Sequence, residues 1–411
     1  QDPSKALASV TNLGVLTAND GGYVVLAAPT VENLGVIQAN LGTIALGSGQ
    51  GFTIALAGDK LMSFAVDEAV TQELLAYLNN KGTLKADSGT ILIEAKVAEE
   101  LVDAVVNNDG LIEANTIVKD KEGVIKLTSN KSITNTGTIR ANAADYSKAG
   151  DIDVVAGKTL TLAPTSHVEA KGKDIESEGG DVYLYSYGDA KAFGGQTIDI
   201  SGGSVSGNGG KGELSAAGAV SFGGNILGTA QEGYERGKFV IDPLVTSIDV
   251  YTEVSADTSW WALDNLTINA PVVGTSGASL SFFADHNSAG WDDWHDNIGD
   301  LIITSAGSVT SDSGNLQFVG VNINFNGGMV TTTTGDVYTY VRNNLNLSGT
   351  NIFSSSGELR LNGWSLGPGV HNINMTAGTI RTGGNGYISL GGGNPDKITL
   401  SGGNIQSLGP L

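Results

Sequence analysis

One short pattern limits what this chain can become. It reads Val-x-Asn-x-Gly-x-(Ile/Leu)-x-Ala, with Leu or Ile sometimes in the first place, and recurs five times in the first 155 residues. The copies carry Asn12 and Gly14, Asn33 and Gly35, Asn80 and Gly82, Asn108 and Gly110, and Asn135 and Gly137. Each is followed by a glycine (Gly22, Gly42, Gly89, Gly123, Gly150) that opens a stretch of alternating apolar residues, such as Ile44 with Leu46 and Ile91 with Ile93. Alternation at period two predicts strands with one buried face. The Asn-x-Gly element reads as turn chemistry, since Asn tolerates the left-handed region and glycine permits positive φ. Two adjacent copies lie 21 residues apart and others 27 or 28, which is the mark of a solenoid whose loops vary in length. The second half repeats differently, with Gly314, Gly335 and Gly357 each ahead of alternating apolar residues.

The fold class expected is therefore all-β: a right-handed parallel β-helix, or β-solenoid, with about three strands per coil. Two stretches break the strand rhythm. Residues 66–78 and 96–106 space their apolar residues like helices, with Val97, Leu101 and Val105 on one face, and are expected as short helical insertions. Two regions are expected: 1–240, and 241–411 with a different repeat and a Trp/Asp-rich loop at 284–300.

Composition narrows function. The formal net charge is −21, which repels nucleic acid and anionic membrane surfaces. There is no cysteine, so neither disulfides nor thiol chemistry are available. No apolar run approaches the roughly 20 residues of a membrane-spanning helix. The start at Gln1-Asp2-Pro3 reads as that of a processed or excised product.

Several segments taken together resemble the filamentous haemagglutinin family, the large exoproteins of two-partner secretion. They are DGGYVVLAAPTVENLGVIQANLGTIALGSG at 20–49, GDKLMSFAVDEAV at 58–70, SGTILIEAKVAEELVDAVVNNDGLIEA at 88–114, GGQTIDISGGSVSGNGGKGELSAAG at 194–218 and GKFVIDP at 237–243. The resemblance covers most of 8–245 and weakens beyond it. It implies a right-handed β-helix passenger exported across a Gram-negative outer membrane by an Omp85-type transporter, then secreted or held at the cell surface. The family's NPNG-type secretion motif does not precede Gln1 here. Family members commonly act as adhesins, so contact with a host or sibling cell, a glycan or an extracellular matrix is the function implied. An extracellular filament polymerising end to end, through self-association, is the alternative.

Among individual residues, the loop at 284–300 stands out. Trp291 and Trp294 could stack on a sugar or anchor a partner, with Asp292, Asp293 and His295 beside them. The same carboxylates could hold Ca²⁺, although no metal-ligand spacing is matched and no cofactor is expected. Trp260 and Trp261 read as packing residues. Tyr183, Tyr185 and Tyr187 alternate along one strand face, so they form a stacked core or a surface ladder. An enzyme is not expected, although β-helices host polysaccharide lyases and hydrolases. The arginines (140, 236, 342, 360, 381) are far apart in sequence and are not expected to share a coil position with acids. Asp151, Asp153 and Asp199 read as solvent-facing positions of alternating strands.

Overall fold

A computed structural model describes residues 8–57, 60–71, 77–99, 101, 104–144, 146–173, 175–285, 299–362, 372–391 and 397–407. Among these residues the chain is all-β, rich in parallel pairing and without a helix. It divides into two compact units, residues 1–217 with 227–237, and 218–226 with 238–411.

The first unit is built from three parallel ladders, and each repeat adds one strand to each. The first ladder stacks Ser9–Asn12, Thr30–Asn33, Leu78–Asn80, Ala104–Asn108, Ser132–Asn135, Thr159–Leu162 and Asp189–Ala192. The second runs from Val15–Thr17 through Val36–Gln38, Thr83–Lys85, Leu111–Glu113, Thr138–Arg140 and His167–Glu169 to Thr197–Asp199. The third starts at Tyr23–Ala28 and passes Thr43–Ser48, Thr90–Ala95, Val124–Ser129, Asp151–Ala156 and Asp181–Ser186 to reach Lys211. Register turns the sequence repeat into columns. The Ile/Leu place of the motif, for example, becomes the column Ile37, Leu84, Ile112, Ile139, Val168 and Ile198, all fully buried.

The motif's asparagines and glycines also stack, for reasons that differ from turn chemistry. The asparagines lie inside strands, and none has positive φ. Gly35, Gly82, Gly110 and Gly137 do not have positive φ either. A Cβ on any of them would stand 2.0–2.2 Å from the carbonyl oxygen of the glycine one repeat below. Close approach of backbone to backbone, not left-handed geometry, demands glycine here. The left-handed residues sit at the next corner, at Leu41, Ser88, Asp120, Tyr146 and Glu176.

The helical spacing at 66–78 and 96–106 arises from strands. Lys60–Glu68 pairs antiparallel with Gly51–Ala57 as a hairpin, and Val70 bridges Val97 in parallel. Ala104–Asn108 belongs to the first ladder. Val66, Val70, Val97 and Val105 are all buried, Val66 in the hairpin, Val70 and Val97 in their bridge, and Val105 at an irregularity in the ladder where Val106 is buried as well. Residues 72–76, 100, 102 and 103 lie outside the described residues. The hairpin packs through Phe64, whose ring occupies the space that a Cβ on Gly47 would need.

In the second unit, long strands alternate with sets of three shorter ones. Lys238–Val254 pairs with three successive strands: Lys238–Ile241 with Asp257–Trp260, Thr246–Ile248 with Leu266–Ile268, and Thr252–Val254 with Val272–Gly274. Leu316–Phe325 and Val337–Ser354 continue the parallel stacking. The interior holds an aromatic column in register: Trp260 stacks on Phe282 at 4.7 Å, and Phe282 on Phe318 at 5.3 Å. Trp261 points the other way and stacks on Phe283 at 3.9 Å.

Candidate functional site

The buried asparagine column is a structural spine. Asn12 Nδ2 donates to Asn33 Oδ1, Asn33 to Asn80, Asn80 to Asn108 and Asn108 to Asn135, at 2.7–2.8 Å. Each amide also donates to the backbone, as from Asn80 to Leu111 O at 3.3 Å. Leu162 takes the next register position, and Asn135 turns instead to Ser166 Oγ at 2.6 Å. Gly14, Gly35, Gly82, Gly110 and Gly137 stack beside this column. These residues hold the fold and present no reactive group to solvent.

Trp291, Trp294, Asp292, Asp293 and His295 lie outside the described residues. The rims of their segment are Asp285, in the left-handed region at φ 62°, and Gly299, and they adjoin each other.

A column of charge runs along the outer side of the second ladder. Lys85, Glu113, Arg140, Glu169 and Asp199 occupy one register position on successive repeats. Lys85 Nζ lies 2.7 Å from Glu113 and 2.9 Å from Asp87. Arg140 sits between Glu113 at 3.3 Å and Glu169 at 2.9 Å. Lys171, two places on, meets Asp199 at 2.7 Å. One arginine therefore does share a repeat position with acids, because stacking joins residues 27 to 29 apart in sequence. Asp199 is nearly buried rather than solvent-facing. Burial alone would raise the Glu113 carboxyl, but Lys85, Asn115 and Arg140 outweigh it and hold it below the usual range. Burial at Glu169 is likewise outweighed, by Asn142, Lys171 and Arg140. A groove of about 430 Å³ beside the column is lined by these paired groups and by Asn115, Ile117 and Lys173. Most of its charges are held in ion pairs, which suits it better to stability than to chemistry.

The sign of the acid response follows. A carboxyl with a depressed folded pKa adds stability above its unfolded value, near 4.3 for Glu, and loses it as pH falls through the folded value. Arg140→Gln should therefore lower the melting temperature at pH 7 by several degrees and flatten its fall below about pH 4. Melting curves from pH 3 to 8 check this; an unchanged acid limb would assign the stability elsewhere.

The outer side of the third ladder differs. Asp151 and Asp153 face outward on one strand yet are half-buried, and Oδ1 of each is shielded from solvent without a hydrogen-bond partner among the described residues. Burial raises both carboxyls above the usual range, against the lowering charges of Lys148 on Asp151 and Lys126 on Asp153. Tyr183 lies in register above Asp153, and Asp181 Oδ2 accepts from Lys148 Nζ at 2.9 Å. Lys126, Asp151, Asp153, Asp181 and Tyr183, with Val124 and Ile152, line a second groove of about 430 Å³. The tyrosine row is a surface ladder: the Tyr183 and Tyr185 rings stack at 6.0 Å, and Tyr185 meets Tyr187 edge-on at 4.9 Å.

Between these two faces runs a series of loops that connect the second ladder to the third. They hydrogen-bond from repeat to repeat: Thr116 N to Asn142 O, Ala143 N to Lys171 O, Gly172 N to Ser201 O and Gly202 N to Thr229 O, all at 2.8–2.9 Å. Each loop exposes a large apolar side chain, and the first exposes two, Ile117 and Val118. Ile117, Tyr146, Ile175, Val205 and Tyr234 are 43–59 % exposed. Tyr146 holds φ 62°, an uncommon conformation for a bulky side chain. The signal for this crest in the sequence is one large apolar residue, or the pair Ile117-Val118, in each Gly-, Ser- and charge-rich connector.

Neither a scan against protein-family models nor a search of curated proteins finds a match to this chain.

Proposed function

We propose that the chain is a right-handed parallel β-helix of the filamentous haemagglutinin kind. On this reading it is exported by a Gram-negative cell through an Omp85-type transporter and works as a structural and adhesive exoprotein at the cell surface. The successive parallel ladders of the first unit, one strand per repeat in each, support the β-helix. The resemblance of segments between 8 and 245 supports the export route. The observation that carries the adhesive reading is the crest. Five consecutive connectors place an apolar tip in solvent, while the interior beneath them is fully packed. Exposed apolar surface arranged in a row marks an interaction face, whereas scattered single residues need no explanation.

Beads coated with the chain should be retained on an epithelial monolayer or on a lawn of Gram-negative cells above albumin-coated beads. The variant Ile117→Ser/Tyr146→Ser/Ile175→Ser/Val205→Ser/Tyr234→Ser should lose about tenfold in retention, at unchanged melting temperature. Wild-type beads that adhere no better than albumin-coated ones would overturn the reading.

A further inference from the structure

We propose that the groove beside Tyr183, bounded by Asp151, Asp153, Lys126 and Asp181, binds a neutral oligosaccharide. The proposal goes beyond the adhesive reading and does not depend on the loop tips. Its first support is shape: about 430 Å³ of open groove lies within the range that holds small organic ligands. Its second is the platform. Tyr183 is 39 % exposed at the groove and stacks parallel to Tyr185, so one aromatic face stands ready for the apolar side of a sugar ring.

The third support is the balance of donors and acceptors. Ionised carboxylates only accept hydrogen bonds. One oxygen each of Asp151 and Asp153 is shut away without a partner among the described residues, which leaves both groups short of donors. A ligand dense in hydroxyl donors meets that need at the oxygens facing the groove, and Lys126 can donate in return. Three aspartates in a chain of net charge −21 disfavour an anionic glycan. Lys126 and Lys148 disfavour a bare cation, and no group of three acidic or histidine side chains suited to a metal occurs among the described residues.

The test uses the full chain, with cellohexaose, maltohexaose, laminarihexaose and mannohexaose titrated separately and followed by chemical-shift change and calorimetry. Binding of at least one is expected. Tyr183→Ser should weaken it by about tenfold and Asp151→Asn/Asp153→Asn by a similar factor. Melting curves establish that each variant is folded, and Tyr187→Ser serves as a surface control that leaves binding within about twofold. Four negative titrations would overturn the inference. So would sugar binding that neither variant weakens, or calcium binding that Asp151→Asn/Asp153→Asn abolishes while all four sugars fail. Loss of the sugar result with bead adhesion intact would sink this inference alone. Sugar binding without bead adhesion would sink the adhesive reading alone.

Discussion

Asn108→Ala should destabilise the first unit by about 3 kcal/mol, a large effect for one polar side chain. Asn108 is 1 % exposed, donates to Asn135 Oδ1 at 2.7 Å and accepts from Asn80 Nδ2 at 2.8 Å. Truncation leaves Asn135 Oδ1 without its donor, and Asn80 Nδ2 keeps only its longer bond to Leu111 O. A buried polar group left unpaired costs about 1–3 kcal/mol, more than the net value of the bond removed. Asn108→Asp should cost at least as much, because a carboxylate places an acceptor against Asn135 Oδ1 and buries a charge. Asn12→Ala should cost less, because Asn12 is the first member of the column: it accepts from no asparagine below, only from Gly14 N at 3.1 Å, and is less deeply buried than Asn108. Urea unfolding with amide exchange resolved along the chain checks the order. A repeat architecture should also show the damage concentrated in the repeats on either side of residue 108. Equal effects at Asn12 and Asn108 would mean that the column is not cooperative.

Trp260→Ala should remove about 4 kcal/mol from the second unit. The side chain is fully buried and stacks on Phe282, so truncation opens a large cavity in the aromatic column. Trp260→Phe should differ sharply. Trp260 Nε1 is buried with no acceptor among the described residues, and phenylalanine removes that orphan donor while keeping most of the ring. A loss below about 1.5 kcal/mol is expected there. Denaturant unfolding of both variants provides the comparison, and a Phe variant as damaged as the Ala variant would show that the indole makes a bond not seen here.

The stacked architecture was legible where one residue type repeats in one place. Asn12, Asn33, Asn80, Asn108 and Asn135 announced the columns, although the force that selects their neighbouring glycines is the carbonyl of the repeat below. The charge column was harder to see. Lys85, Glu113, Arg140 and Glu169 differ in type, and each has its partner nearly thirty residues away, so no local window shows the alternation. Val97 and Val105, spaced as on one helix face, are buried in separate elements, Val97 in a parallel bridge to Val70 and Val105 in a strand of the first ladder. The hairpin at Gly51–Ala57 and Lys60–Glu68 had its own signal, the dipeptide Gly58-Asp59 between two alternating runs. As for the site, Asp153 and Tyr183 are alternating outward residues in sequence. Only register places them side by side and shows that the carboxylate is half-buried.

Acid should separate the two faces of the first unit. Asp151 and Asp153 have raised folded pKa values, so their folded state gains stability as pH falls through those values. Glu113 and Glu169 lose theirs only at lower pH. Stability should therefore peak in mildly acidic solution, and Asp151→Asn/Asp153→Asn should move that peak toward neutrality.

The most direct measurement is disulfide trapping, for which the absence of cysteine gives a clean background. Thr134 and Thr161 are parallel register partners on adjacent repeats, and Thr161 is the partner of Lys191 on the next. Adjacent strands lie about 4.8 Å apart, within the span a disulfide bridges, and two repeats lie at about twice that. Thr134→Cys/Thr161→Cys should oxidise rapidly to an intramolecular disulfide with the native melting transition retained, and Thr134→Cys/Lys191→Cys should not. Failure of the first pair, or equal closure of both, would contradict in-register stacking of one repeat on the next.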